Sequence, residues 1–226
     1  MMCTNDDGRD PWLPDRLLRT ERDLLMPLLR RTPEEAYELR TACPGWTARQ
    51  VLAHCGAALV RIVEDRLEEG VFLPEANACD VAEREDWPLG RILDELERGL
   101  TEAGPVIAAR EDGRLDAVAL GEWVHAGDVR EAFGEPGAYC GKALELALPL
   151  LTVTSRTRET PRLVGVLEDG TLPRVSLALG NEREGRPPAT FRGDAATLIR
   201  IYAGRPLVRT RYELTGATEQ ELLIYR

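Results

Sequence analysis

Histidine occurs only twice in this chain of 226 residues, at His54 and His125, so chemistry that needs imidazole has just these two positions to draw on. Cysteine is sparse and irregular. Cys3, Cys43, Cys55, Cys79 and Cys140 make an odd set of five with no CxxC pair, which suits free thiols in a reducing cytosol better than a disulfide framework. No apolar run approaches the roughly 20 residues that a membrane span requires. The start, MMCTNDDGRDPW, has neither the basic residues nor the apolar stretch of a secretory signal, so the expectation is a soluble, cytoplasmic protein. An excess of positive charge is missing as well. The net charge is -10 and the basic residues, mostly arginine, are scattered among acids, which argues against a nucleic-acid binder.

With 43% hydrophobic residues the chain can bury a real core, as one large domain or as a medium domain with a small one. Its first two thirds read as helices. Leu17, Leu18, Leu24, Leu25, Leu28 and Leu29 repeat with helical period from about Pro14 to Arg31, where Pro27 predicts a bend or an early end. Thr47 and Gln50 form a T-x-x-Q capping box that opens a second helix, with Val51, Leu52, Cys55, Leu59, Ile62, Val63 and Leu67 inward and Gly70 placed to end it. FLPEANACDVAERED, after Gly70, has no clear period and reads as an exposed connection. WPLGRILDELERGLTEAG gives a third helix, Leu115 to Phe133 a fourth, and Lys142 to Val153 another. A bundle of at least four helices follows.

Near Glu159 the pattern changes. RLVGVLEDG and RVSLALGNEREG predict a hairpin with Asp-Gly and Gly turns. ATFRGD predicts a strand leading into a helix capped by Asp194 and closed by Gly204, and VRTRYELTG and ELLIYR return to strand or mixed character. The expected fold class is therefore α+β: an up-down helical bundle over residues 1–158 and a small α+β unit over 159–226.

Both histidines fall on predicted helices. Glu122 precedes His125 by one helical turn, so the two side chains can point to the same spot. A histidine from a facing helix, His54, would complete a three-ligand metal site with open coordination positions. The other reading is two hydrogen-bonded histidines at the core boundary, and spacing alone leaves both open. Cys55 lies about 100° around the helix from His54 and reads as a buried thiol. Trp46 and Trp123 read as packing anchors.

Two blocks, taken in order, resemble a known family. CPGWTARQVLAHCGAALVRI at 43–62 and EWVHAGDVREAFGEPG at 122–137 resemble the two signatures of the mycothiol-dependent maleylpyruvate isomerase family, a branch of the DinB-like metal-binding bundles. TFRGDAATLIRIYAGRP at 190–206 is similar to that family's sterol-carrier-like C-terminal domain. The resemblance implies a divalent metal, zinc or another ion, held by His54, Glu122 and His125. It implies mycothiol as cosubstrate, for whose pocket Trp46 and Trp123 are the alternative assignment to packing anchors, and a small electrophilic or carboxylate substrate met by Arg205 or, less directly, Arg130. Asp128 would orient His125 or substitute as a ligand. There is one departure: the family's glutamate stands four residues before the second histidine, where this chain has Gly121.

The implied function is a metal-dependent isomerase or S-transferase using an activated low-molecular-weight thiol. A non-catalytic ligand-binding protein with a degenerate metal site, or a metal-dependent hydrolase, are the alternatives. A monomer or homodimer is expected, with no nucleic-acid or membrane partner.

Overall fold

A computed structural model describes residues 9–168, 175–208 and 210–225. Cys3, most of the acidic N-terminal stretch and the Asp169-Gly170 turn lie outside these residues. The first helix, α1 (Leu13–Arg31), buries Leu17, Leu18, Leu25, Leu28 and Leu29 as its period requires. It runs through Pro27 without ending there, and that proline lies on the exposed face of the helix. Helix α2 (Ala48–Val63) opens with Thr47 and Gln50 exchanging both bonds of the capping box. It stops at Val63, short of Gly70: Asp65 takes a left-handed backbone and turns the chain first.

Helices α3 (Pro74–Ala82), α4 (Leu89–Ala108), α5 (Asp116–Ala132) and α6 (Leu144–Thr157) follow. The segment after Gly70 is thus not a plain exposed connection. Its helix α3 has little apolar periodicity and is held instead by charge: the buried Asp80 accepts from Arg61 of α2, while Arg84 forks onto Glu95 of α4 at 2.6 and 2.9 Å. That kind of tie leaves no period for sequence reading to find.

The core lies among four helices. Helix α4 packs on α1 and α2, and α5 packs on α1 and α2 from the other side, so α1 and α2 occupy opposite corners. Each leucine fully withdrawn from water there contributes about 1.5–3 kcal/mol. Helix α6 leans on α5 and α1 and leads to the sheet.

Four strands follow, β1 (Leu163–Leu167), β2 (Val175–Leu179), β3 (Ala189–Gly193) and β4 (Tyr212–Thr215), in the order β2-β1-β3-β4. β1 pairs antiparallel with β2 as the hairpin pattern predicts, parallel with β3, and β3 pairs antiparallel with β4. Helix α7 (Ala195–Ala203) is capped by Asp194, whose carboxylate accepts from Thr197 N–H at 2.6 Å. ELLIYR, expected as strand or mixed, begins inside the short helix α8 (Glu219–Leu222), because Thr218 and Glu221 form a second capping box. The chain is α+β, with eight α-helices and a mixed four-stranded sheet among the described residues. No helix among those residues is long and apolar enough to cross a membrane.

Candidate functional site

The turn Cys43-Pro44-Gly45-Trp46 stands directly before α2 and is tied back by Thr41, whose N–H donates to Trp46 O at 3.1 Å. That tie lays the Trp46 ring against His54, with centroids 5.0 Å apart, and near His125, at 6.5 Å. The two imidazoles, one from α2 and one from α5, are edge to face at 5.3 Å. His54 and Glu122 are buried and His125 is half-buried. All three line one cavity of about 870 Å³, together with Cys43, Trp46 and Arg205.

Arg205 reaches this cavity from the far end of the chain. Gly204 ends α7 with φ of +66°, a left-handed turn that an L side chain rarely adopts, and the next residue is directed back at α5. There its guanidinium meets Asp128: Nε lies 2.9 and 3.0 Å from the two carboxylate oxygens and Nη2 lies 2.8 Å from Oδ2. Tyr139 donates its hydroxyl to Asp128 Oδ1 at 2.5 Å, and His125 Nδ1 is 3.2 Å from Oδ2. Nδ1 also stands 3.3 Å from Arg205 Nη2, so it can donate to the carboxylate or accept from the guanidinium.

Tyr139 is marked by no sequence pattern. It fits because α5 has Gly127 beneath it: a Cβ there would meet its ring at 2.5 Å. Trp123 packs edge to face on Tyr139 at 6.5 Å, fully buried, and is not among the residues lining the cavity. Arg130 also stands apart, paired with the buried Glu21 of α1.

Burial sets the charge of the site. Burial lowers the His54 pKa to about 3, with the His125, Arg205 and Arg61 charges acting in the same sense. His125 is also lowered by burial, against the hydrogen bond and charge of Asp128. Both imidazoles are therefore neutral near pH 7. Burial raises Glu122 to about 8, against a hydrogen bond with Cys55 that works to lower it. Burial likewise pushes the Cys43 thiol up to about 11. For Asp128, burial works upward, but the His125 and Arg205 hydrogen bonds and charges outweigh it and hold the carboxyl below its ordinary range.

Two donor sets can be compared. Ligand-type atoms of Cys43, His125 and Asp128 lie within 4.8 Å of one another. Asp128 is already saturated by Arg205, Tyr139 and His125, and the guanidinium beside it repels a cation. His54 Nδ1 and Glu122 Oε2, in contrast, are buried with no hydrogen-bond partner. Unsatisfied buried polar atoms are costly unless something meets them, and two neutral imidazoles with a carboxyl suit a divalent cation by type. Among the described residues, however, only Cys43, His125 and Asp128 already bring their ligand atoms within 4.8 Å, so His54, Glu122 and His125 would have to turn toward one another to share an ion.

Two solved structures share this architecture: a crystal structure of the mycothiol-dependent maleylpyruvate isomerase and one of a histidine-to-alanine mutant of that enzyme. The fold is the maleylpyruvate isomerase fold. Each comparison gives a TM-score of 0.52 at 16% sequence identity and covers 91% of this chain and 93% of the other. No family model and no curated protein matches the chain. The likeness to the isomerase is a distant structural relationship, spanning the helical bundle and the sheet-bearing tail alike.

Proposed function

We propose that the protein is a metal-dependent enzyme that uses a low-molecular-weight thiol, mycothiol or a thiol like it, either to isomerise a small electrophile or to transfer the thiol onto it. In this reading a helical unit up to about residue 158 holds the metal and the unit over 159–226 supplies Arg205. The observation that carries it is the meeting of His54, Glu122 and His125 at one cavity, with buried donor atoms left unpartnered. The similarity to a mycothiol-dependent isomerase supports the same chemistry.

His54, Glu122 and His125 would hold the cation, zinc being the favoured ion for such a donor set. A divalent cation in that position lowers the pKa of a coordinated thiol, so that thiolate predominates near neutral pH. The remaining work belongs to the chain. Asp128 fixes the His125 ring through Nδ1 and is itself fixed by Tyr139 and Arg205. Trp46 lays its ring against His54 and covers one side of it. Arg205 spends Nε and one Nη2 bond on Asp128 and one Nη1 bond on Ala203 O, leaving N–H groups on both terminal nitrogens for a substrate carboxylate.

The test is elemental analysis of tag-free protein beside His54→Ala and Glu122→Ala, followed by assay of mycothiol consumption with maleylpyruvate and other electrophiles. About one equivalent of metal, lost in both variants, with thiol-dependent turnover in the wild type, is expected. A protein that takes up no metal after dialysis against zinc and consumes no thiol would sink the proposal. Gly121, standing where the family's glutamate is expected, would then favour a non-catalytic binding protein.

A further inference from the structure

The cavity has one buried polar cluster, and Glu68, Arg110, Asp112, Arg114 and Arg158 add charged side chains elsewhere along its lining. His54, Glu122, His125 and Arg205 gather where α2, α5 and the end of α7 meet. Three separate segments supply the apolar part of the lining: Leu67, Phe72 and Leu73 from the link between α2 and α3, Val118 from the first turn of α5, and Leu223 and Tyr225 after α8. None of these six is withdrawn from solvent as a core residue is. Leu73 is 54% exposed and the other five are half-buried.

The wall is built, not incidental. The Tyr225 hydroxyl donates to Ala117 O at 2.9 Å, and Ile224 N–H donates to Tyr202 O at 3.0 Å, which fixes the segment across the start of α5. The Tyr225 ring lies over Gly121, where an added Cβ would meet its hydroxyl at 3.4 Å. On the α3 side, Asn77 Nδ2 donates to Phe72 O at 3.4 Å, and the buried Asp80 pairs α3 with Arg61 of α2. Half-buried apolar side chains brought together from distant parts of a chain around a polar floor are the makings of a small-molecule site.

We propose that the substrate of this site is amphipathic, with a single polar head such as a carboxylate at the imidazole and Arg205 end and an apolar body along the Leu67–Leu73, Val118 and Tyr225 wall. A compact dianion would leave that wall facing water and most of the 870 Å³ unfilled. An alkyl or aryl body of several carbons covers it. The inference rests on the proposed enzyme reading for the term substrate, and on the cavity alone for the binding it requires.

Isothermal titration calorimetry of the protein as purified, with no thiol added, tests it using butanoate, hexanoate, octanoate and decanoate, with maleate as the compact dianion. Affinity is expected to rise about fourfold per added methylene, the figure for about 0.8 kcal/mol per buried CH2, until the wall is covered, and octanoate is expected to bind more tightly than maleate. Phe72→Ser and Leu73→Ser, neither at a fully buried position and each checked for an unchanged circular-dichroism spectrum, should flatten the chain-length dependence, whereas Arg205→Gln should weaken all four acids by a similar factor. Affinity independent of chain length, maleate binding more tightly than octanoate, or a dependence unchanged in the Phe72 and Leu73 variants would overturn the proposal. Binding without thiol turnover would refute the enzyme reading and keep this one. Thiol turnover on compact acceptors with no chain-length dependence would do the reverse.

Discussion

Arg205 clasps Asp128 with Nε and Nη2 across 77 positions of sequence, at 2.8 to 3.0 Å. The carboxylate belongs to the helical bundle and the guanidinium to the stretch after α7, so one ion pair joins the two parts of the fold at the site itself. Asp128 is wholly buried. Its charge is tolerated because Arg205, Tyr139 and His125 meet it.

Removing the cation should therefore cost more than a surface pair would. Arg205→Gln is expected to destabilise by about 3–5 kcal/mol, since an uncompensated buried carboxylate remains. The effect should depend on pH in one sense. Asp128 is held below its ordinary pKa, so its contribution is complete above the unfolded value near 4 and is lost as pH falls through the lower folded value. Urea unfolding of both proteins at a series of pH values checks this; a difference that grew on acidification would contradict it.

Tyr139 and Gly127 form a second pair open to test. Tyr139→Phe deletes a hydrogen bond to a charged acceptor and should cost about 1.5–3 kcal/mol. Gly127→Ala places a methyl at 2.5 Å from the Tyr139 ring and should cost about 1–3 kcal/mol by overpacking. Because the alanine acts by displacing the tyrosine, the double variant should fall short of the sum. Additive costs in chemical denaturation would mean that the two changes act separately.

Cation binding should release a proton. In the cation-free protein Glu122, raised to about 8, is protonated near pH 7, and both imidazoles are already neutral. Zinc uptake must expel the Glu122 proton, so apparent affinity should rise with pH and level off above about 8. Calorimetry in buffers of different ionisation enthalpy counts that proton: about one at pH 7 and close to none at pH 9.5 is the expected outcome.

Asp80 anchors α3 through Arg61, and Asn77 of α3 donates to Phe72 O in the link that precedes it. Asp80→Ala leaves Arg61 unpaired and should raise amide hydrogen exchange across residues 67–82 while leaving the centres of α1 and α4 protected. Exchange raised evenly over the whole chain would show a global effect instead.

Much of the fold is legible in the amino-acid sequence. The leucine period of α1, the Thr47 capping box, the Asp194 cap with Gly204 behind it, and the hairpin strands at 163–179 each rest on local rules, and local rules survive in the fold. Residue type and spacing set His54, Glu122 and His125 apart, the family resemblance adds Trp46, Asp128 and Arg205, and the structure brings Trp46, His54, Glu122, His125 and Arg205 to one cavity, with Asp128 bonded behind them. What stays hidden is non-local. Helix α3 depends on ion pairs to α2 and α4, the place of Tyr139 depends on the absence of a side chain at Gly127, and Tyr225 reaches the cavity from more than a hundred positions away. Nothing in the local pattern around either partner announces the other.

That last distance has a bearing on how the protein is made. Tyr225 meets Ala117 across 108 positions, so during synthesis the helical bundle can emerge and pack well before the residue that closes its cavity exists. A nascent chain at that stage presents Val118 and the Leu67–Leu73 link to its surroundings as an open apolar mouth, available to chaperones or to other nascent chains. The segment around Tyr225 then completes the wall, so the pocket takes on its apolar lining only after the bundle has been made.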